Sequence, residues 1–103
     1  MLMITEQGDE SSLTFKLAGR LAGEWTPELE HCWRGVATSK PSLKVRIDLS
    51  EVTFVSNTGK RLLAAMARAG VELIAADMMM KALVEQIAQG YSFDEDESLE
   101  SIG

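Results

Sequence analysis

Apolar residues recur along this chain with two spacings, and the switches between them mark out its elements. Met1 to Ile4 open with a short apolar stretch, read as a strand over residues 1–6. Gly8-Asp9 is a turn signal. Over residues 12–18, Leu13, Phe15 and Leu17 alternate with Thr14 and Lys16, the period of a half-buried strand. Two strands joined by a polar, glycine-containing loop predict an antiparallel hairpin. Gly19 to Gly23 is expected to be a loop. Thr26-Pro27 then predicts a helix start, with Thr26 as N-cap and Pro27 at the first helical position. Leu29, Trp33 and Val36 fall on one face of that helix, with Cys32 beside them. Ser39 to Ser42, around Pro41, is expected to be a loop.

The alternation returns in residues 43–49, LKVRIDL, which read as the strongest strand. Ser50-Glu51 is expected to turn, with Val52, Phe54 and Val55 pressing into the core. The helix after Asn57 places Leu62, Leu63 and Met66 inward and Lys60, Ala64 and Arg68 outward, with Gly70 beyond its end. Val71 to Ala76 is nearly all apolar, which predicts a short strand buried on both faces. Met79 to Gln89 completes the pattern as a helix with Met79, Leu83 and Ile87 inward, joined by Met80 and Val84. Gly90 stops it.

The resulting order is β-β-α-β-α-β-α. Helical crossovers imply parallel neighbours, and the opening hairpin makes the sheet mixed. The expected fold class is therefore α/β: a single small mixed-sheet domain of about four strands with three helices. The domain is assigned to residues 1–90 and an acidic C-terminal tail to residues 91–103.

Charge supports that division. The chain of 103 residues has a net charge of −6. Asp94, Glu95, Asp96, Glu97 and Glu100 all fall after Gly90, where there is no base, leaving eleven acids against ten bases in residues 1–90. The acidic end reads as a solvated tail, with a docking peptide for a basic partner surface as the other reading. No basic stripe appears, which argues against nucleic acid as a partner. A single cysteine, Cys32, excludes an intrachain disulfide and fits a reducing compartment. No signal-peptide pattern and no apolar run near the roughly 18 residues of a membrane span are present. The chain is expected to be cytoplasmic.

Few residues carry chemistry. Glu28 and His31 match one half of a di-iron carboxylate motif, but there is no second histidine, so no metal site is assigned. His31 reads as a surface side chain. Cys32 adjoins His31, but consecutive helical residues point about 100° apart, so the pair is no nucleophile and base. Cys32 reads as a small buried hydrophobe. Met78, Met79 and Met80 read as core filler with one exposed side chain, or as an adaptable binding surface. There is no glycine-rich phosphate loop, and Asp48 has no evident partner. No cofactor and no catalytic residue are assigned.

One stretch remains, VTFVSNTGK at residues 52–60. Ser56, Asn57, Thr58 and Gly59 crowd a strand-to-helix corner. A helix start presents unpaired N–H groups and a partial positive charge. The corner is open to two readings: a capped helix and no more, or an anion or phosphoryl site.

Residues 13–90, about three quarters of the chain, resemble a STAS domain, the fold of bacterial anti-sigma-factor antagonists and of the cytoplasmic tails of sulfate transporters. The matching pieces are LTFKLAGRLAG, VRIDLSEVTFVSNTGKRLL and AGVELIAAD. In antagonists of that family the corner typically reads Asp-Ser-Ser-Gly, and the first serine is phosphorylated by an anti-sigma factor that is also a kinase. Aligned on Gly59, Ser56 stands at the family's Asp, Asn57 at the phosphorylated serine and Thr58 at the second serine.

The resemblance implies a regulatory module that acts by binding an anti-sigma factor or kinase-like protein, with the usual phosphoacceptor replaced by Asn57. Its implied binding face is Ser56, Asn57, Thr58, Gly59, Lys60 and Arg61, with Ala64 on the next turn. Thr58 and Ser56 are the candidate phosphoacceptors. The alternatives are a STAS subunit of a lipid or solute transport ATPase assembly, and an anion- or nucleotide-sensing STAS domain.

Overall fold

The computed structural model describes residues 1–90. The expected tail, 91–103, lies outside the described residues. Strands β1 (Leu2–Gly8) and β2 (Ser12–Leu21) form the predicted antiparallel hairpin. Asp9 shapes its turn: one carboxylate oxygen accepts from the backbone N–H groups of Ser11 and Ser12, at 2.9 and 3.1 Å. These hydrogen bonds, the one from the Ser11 backbone first, hold the Asp9 carboxyl below its ordinary pKa.

Helix α1 (Trp25–Ser39) carries the chain to β3 (Lys44–Val55), and α2 (Asn57–Arg68) carries it on to β4 (Glu72–Ile74) and α3 (Met78–Ala88). The sheet order is β1-β2-β3-β4, with β2, β3 and β4 parallel. Both crossovers step the same way along the sheet, so right-handed connections put α1 and α2 on one face. The core lies there, between Phe15, Leu17, Ile47 and Leu49 of the sheet and Leu29, Leu63, Met66 and Leu83 of the helices, all buried. The other face is polar, and Lys16–Glu51 at 3.4 Å and Arg46–Glu72 at 3.0 Å pair at its surface. Exposed pairs of this kind contribute about 0–1 kcal/mol each.

Several boundaries differ from expectation. Ser50-Glu51 is no turn, because β3 continues through it to Val55. The extra residues are absorbed as two bulges. Lys16 faces Asp48 and Ala18 faces Glu51; then Gly19 faces Val52 and Arg20 faces Phe54. Each irregularity inserts one residue into β3 and none into β2. Core positions in β3 therefore shift from a spacing of two, Val45, Ile47 and Leu49, to a spacing of three, Leu49, Val52 and Val55. Phe54, expected in the core, is turned outward to 40% exposure.

The Gly19–Gly23 loop shrinks for the same reason: β2 runs on to Leu21 to pair with this extended β3. Helix α1 starts two residues earlier than expected, at Trp25, with Glu24 in place of Thr26 at the N-cap position. Thr26 is inside the helix, buried, and forms no cap; its hydroxyl has no hydrogen-bond partner among the described residues. Strand β4 is a three-residue edge, with Glu72 exposed and Leu73 and Ile74 half-buried, so it is not covered on both sides. Met80, not Met79, enters the core, because Asp77 caps α3 and fixes its phase through a 2.8 Å bond from the Met80 N–H. Ala64 is buried as well, so it drops out of the expected outward face of α2.

Candidate functional site

Strands β2, β3 and β4 are parallel, and a helix follows each. All three helices therefore begin at the same edge of the sheet, the edge where open α/β sheets place their sites. The corner predicted from VTFVSNTGK is on that edge, between β3 and α2.

Backbone packing builds it. The Ser56 N–H donates to the Leu21 carbonyl at 3.0 Å, tying the end of β3 to the end of β2. Ser56 is extended, with φ −73° and ψ 169°, and its hydroxyl accepts from the Gly59 N–H at 3.1 Å. It is thus the N-cap of α2. Gly59 is buried against the same carbonyl. A Cβ at Gly59 would lie 2.9 Å from the Leu21 oxygen and 3.0 Å from Val55 Cγ1. Only glycine lets the helix start approach the sheet so closely.

With Ser56 engaged as cap and Gly59 buried, Asn57 and Thr58 are what the corner exposes. They are the first two residues of α2. The Thr58 hydroxyl accepts from Arg61 Nη2 at 3.4 Å. Arg61 is exposed and Lys60 half-buried. The six residues named from the sequence are contiguous on this corner, but they divide into a structural pair, Ser56 and Gly59, and an outward group.

The sequence reading missed what flanks the corner. A groove of about 320 Å³ runs between the end of β3 and α3; Phe54, Val55 and Lys60 lie on one side of it and Met79, Leu83 and Gln86 on the other. Met79 is 60% exposed. The Arg20 guanidinium lies 4.4 Å from the centroid of the Phe54 ring. The three-residue spacing of Leu49, Val52 and Val55 was the available signal: a strand that keeps its core face with that spacing must bulge, and the residue between must turn out.

Away from this edge the other candidates carry less. His31 is exposed on α1 and Cys32 is half-buried. Burial foremost, then the charges of Glu28 and Glu6, raise the Cys32 pKa, so the thiol stays protonated and poorly nucleophilic. Among the described residues no cluster of His, Cys, Asp or Glu is placed to hold a metal ion. No helix among them is long and apolar enough to cross a membrane.

No protein-family model matches the sequence, and no curated protein matches it. Solved structures do match. The anti-sigma factor antagonist SpoIIAA in its unphosphorylated form superposes with a TM-score of 0.69 at 10% identity, over 82% of this chain and 83% of that one. An anti-sigma factor antagonist from Mycobacterium paratuberculosis gives a TM-score of 0.68 at 20% identity, over 99% and 94%. An uncharacterised protein with a SpoIIAA-like fold from Shewanella loihica gives 0.57 at 16%, over 96% and 91%. The chain has the SpoIIAA-like STAS fold, a four-stranded mixed sheet with three helices. The predicted fold class is borne out.

Proposed function

We propose that this chain is a non-enzymatic regulatory module of the anti-sigma-factor-antagonist type, which acts in the cytoplasm by binding a kinase-like anti-sigma factor through the corner at residues 56–61. The exposure of Asn57 and Thr58 at the start of α2, beside a cap and a glycine that fix the backbone, carries this reading. The arrangement is rigid underneath and polar on top, which suits recognition by a partner's main chain.

Asn57 holds the module in its binding form. An amide is neutral and takes no phosphoryl group, so the position keeps the polarity of an unphosphorylated serine. Of the two hydroxyls left, Thr58 is the better candidate phosphoacceptor. It is exposed, it heads a helix, and Arg61 is within 3.4 Å. Ser56 is occupied as the cap, and modifying it would remove that bond.

The reading is tested by replacing Asn57 with Asp, which adds the charge a phosphate would bring. Binding to the cognate anti-sigma factor should weaken while the fold is kept; unchanged binding counts against this face.

A further inference from the structure

The two outer edges of the sheet are not alike. Strand β4 closes one with three residues, and so short an edge offers little to pair with. Strand β1 closes the other with seven, LMITEQG. Among the described residues no strand pairs its outer side. Bulges, prolines and basic side chains are the usual means of blunting such an edge. Strand β1 has no proline, lysine or arginine, and its register with β2 is unbroken from Leu2 to Gly8.

The hairpin's own hydrogen bonds fix which backbone groups point outward. The register continues to Met1 opposite Arg20, where the Arg20 N–H donates to the Met1 carbonyl at 3.1 Å. Beyond the other end, the Asp9 N–H donates to the carbonyl of Ser12, its opposite residue, at 2.9 Å. Odd-numbered residues therefore bond to β2. Leu2, Ile4, Glu6 and Gly8 turn both their N–H and their C=O groups to the open side. Met3, Thr5 and Gln7 project from the sheet face without helices and are exposed, Met3 by 61%.

We infer that β1 pairs with β1 of a second copy, antiparallel about a two-fold axis at Thr5, so that one sheet runs through both copies. This register pairs the whole strand. Leu2 faces Gly8, Ile4 faces Glu6, Met3 faces Gln7, and the two Thr5 side chains face each other, a favourable cross-strand pair. An axis at Glu6 would set two carboxylates face to face, and an axis at Ile4 would leave Gln7 and Gly8 unpaired. Glu6 is the strand's one charge, so the edge selects neither an acidic nor a basic partner strand. Its fit to itself commits it to a second copy, which also covers the exposed Met3. A seven-residue ladder is smaller than a standard interface, so the dimer is weak and forms at high protein concentration. The inference does not depend on the corner at residues 56–61, which lies at the strand ends rather than along β1.

The test uses the full chain with Cys32→Ser, into which Thr5→Cys, Met3→Cys or Gln7→Cys is introduced singly. Opposed Thr5 residues form a non-hydrogen-bonded pair about 4.5 Å apart between Cα atoms, within disulfide reach, whereas the two Met3 or the two Gln7 residues lie well beyond it. Under mild oxidation Thr5→Cys should form the covalent dimer at least roughly ten-fold faster than either of the others. Equal rates at the three positions overturn the inference. Sedimentation of the native chain from about 20 μM to 1 mM should show the mean mass rising, and a monomer throughout overturns it too. Glu6→Pro removes an outward N–H and leaves the β1–β2 ladder intact, so it should abolish association with the fold kept. Association unchanged in a folded Glu6→Pro protein would give the dimer to another surface and refute the pairing; should that variant not fold, the disulfide rates decide. Amide exchange at Leu2, Ile4, Glu6 and Gly8 should slow as concentration rises. Full protection already at the lowest concentration would give the edge to the chain's own residues and overturns the inference.

Discussion

Gly59 is packed against the carbonyl of Leu21 so closely that a β-carbon there would lie 2.9 Å from its oxygen. That oxygen cannot yield, because it already accepts the Ser56 N–H at 3.0 Å and belongs to the paired end of β2. Gly59→Ala should therefore destabilise the fold by about 1–3 kcal/mol, the usual cost of overpacking. Urea unfolding measures it. A loss under 0.5 kcal/mol would mean that the helix start shifts freely, contrary to a rigid corner.

Thr26 is the opposite case, a buried hydroxyl without a hydrogen-bond partner among the described residues. A buried, unmatched polar group costs about 1–3 kcal/mol. Thr26→Val keeps the shape and removes the group, so it should raise the unfolding free energy by about 1 kcal/mol. A fall in stability would show that the hydroxyl is engaged after all.

These two positions also mark how far the sequence could be read. Thr26-Pro27 has the composition of a helix start, yet the helix begins at Trp25 and the threonine is packed inward. Burial against the sheet overrode a local capping preference. The corner was legible because Ser56 to Gly59 combine a cap, small polar side chains and a glycine immediately after an apolar strand. The groove was not, since it depends on two bulges in β3 that turn Phe54 outward and on the cap that sets which methionine of α3 is buried. Alternation restarted at Val52, after the turn expected at Ser50-Glu51, places Phe54 inside. Topology was legible from element order, because a strand, helix, strand unit leaves little freedom in direction or hand.

The raised pKa of Cys32 predicts slow chemistry at its thiol. Alkylation by iodoacetamide at pH 7.5 should be at least several-fold slower than for an unstructured cysteine peptide, whose pKa is about 8.5. The rate should still be climbing well above that pH, where the peptide's has levelled. A rate equal to the peptide's would show a thiol neither buried nor repelled by Glu28 and Glu6.

Asp9 gives a pH dependence of the opposite sign. Its native pKa is lowered by the Ser11 and Ser12 hydrogen bonds, so the folded state binds its proton less readily than the unfolded chain. That contribution is present above the ordinary aspartate value of about 3.9 and is lost as pH falls from there through the lowered native value. Asp9→Ala should remove this part of the acid sensitivity. Amide exchange in the β1–β2 hairpin, followed from pH 6 to pH 3, checks it; identical profiles for the two proteins would refute the assignment.

The most direct test of the account is the affinity for the cognate anti-sigma factor, measured by calorimetry for the native chain and for Asn57→Asp, with matched unfolding curves. A carboxylate at this exposed position places the charge of a phosphorylated antagonist on the side of α2 proposed to meet the partner. The account predicts a loss of at least about ten-fold, or 1.4 kcal/mol, with stability unchanged or slightly raised by the helix dipole. Equal affinity for the two proteins would contradict the claim that the corner at Asn57 is the partner-binding face.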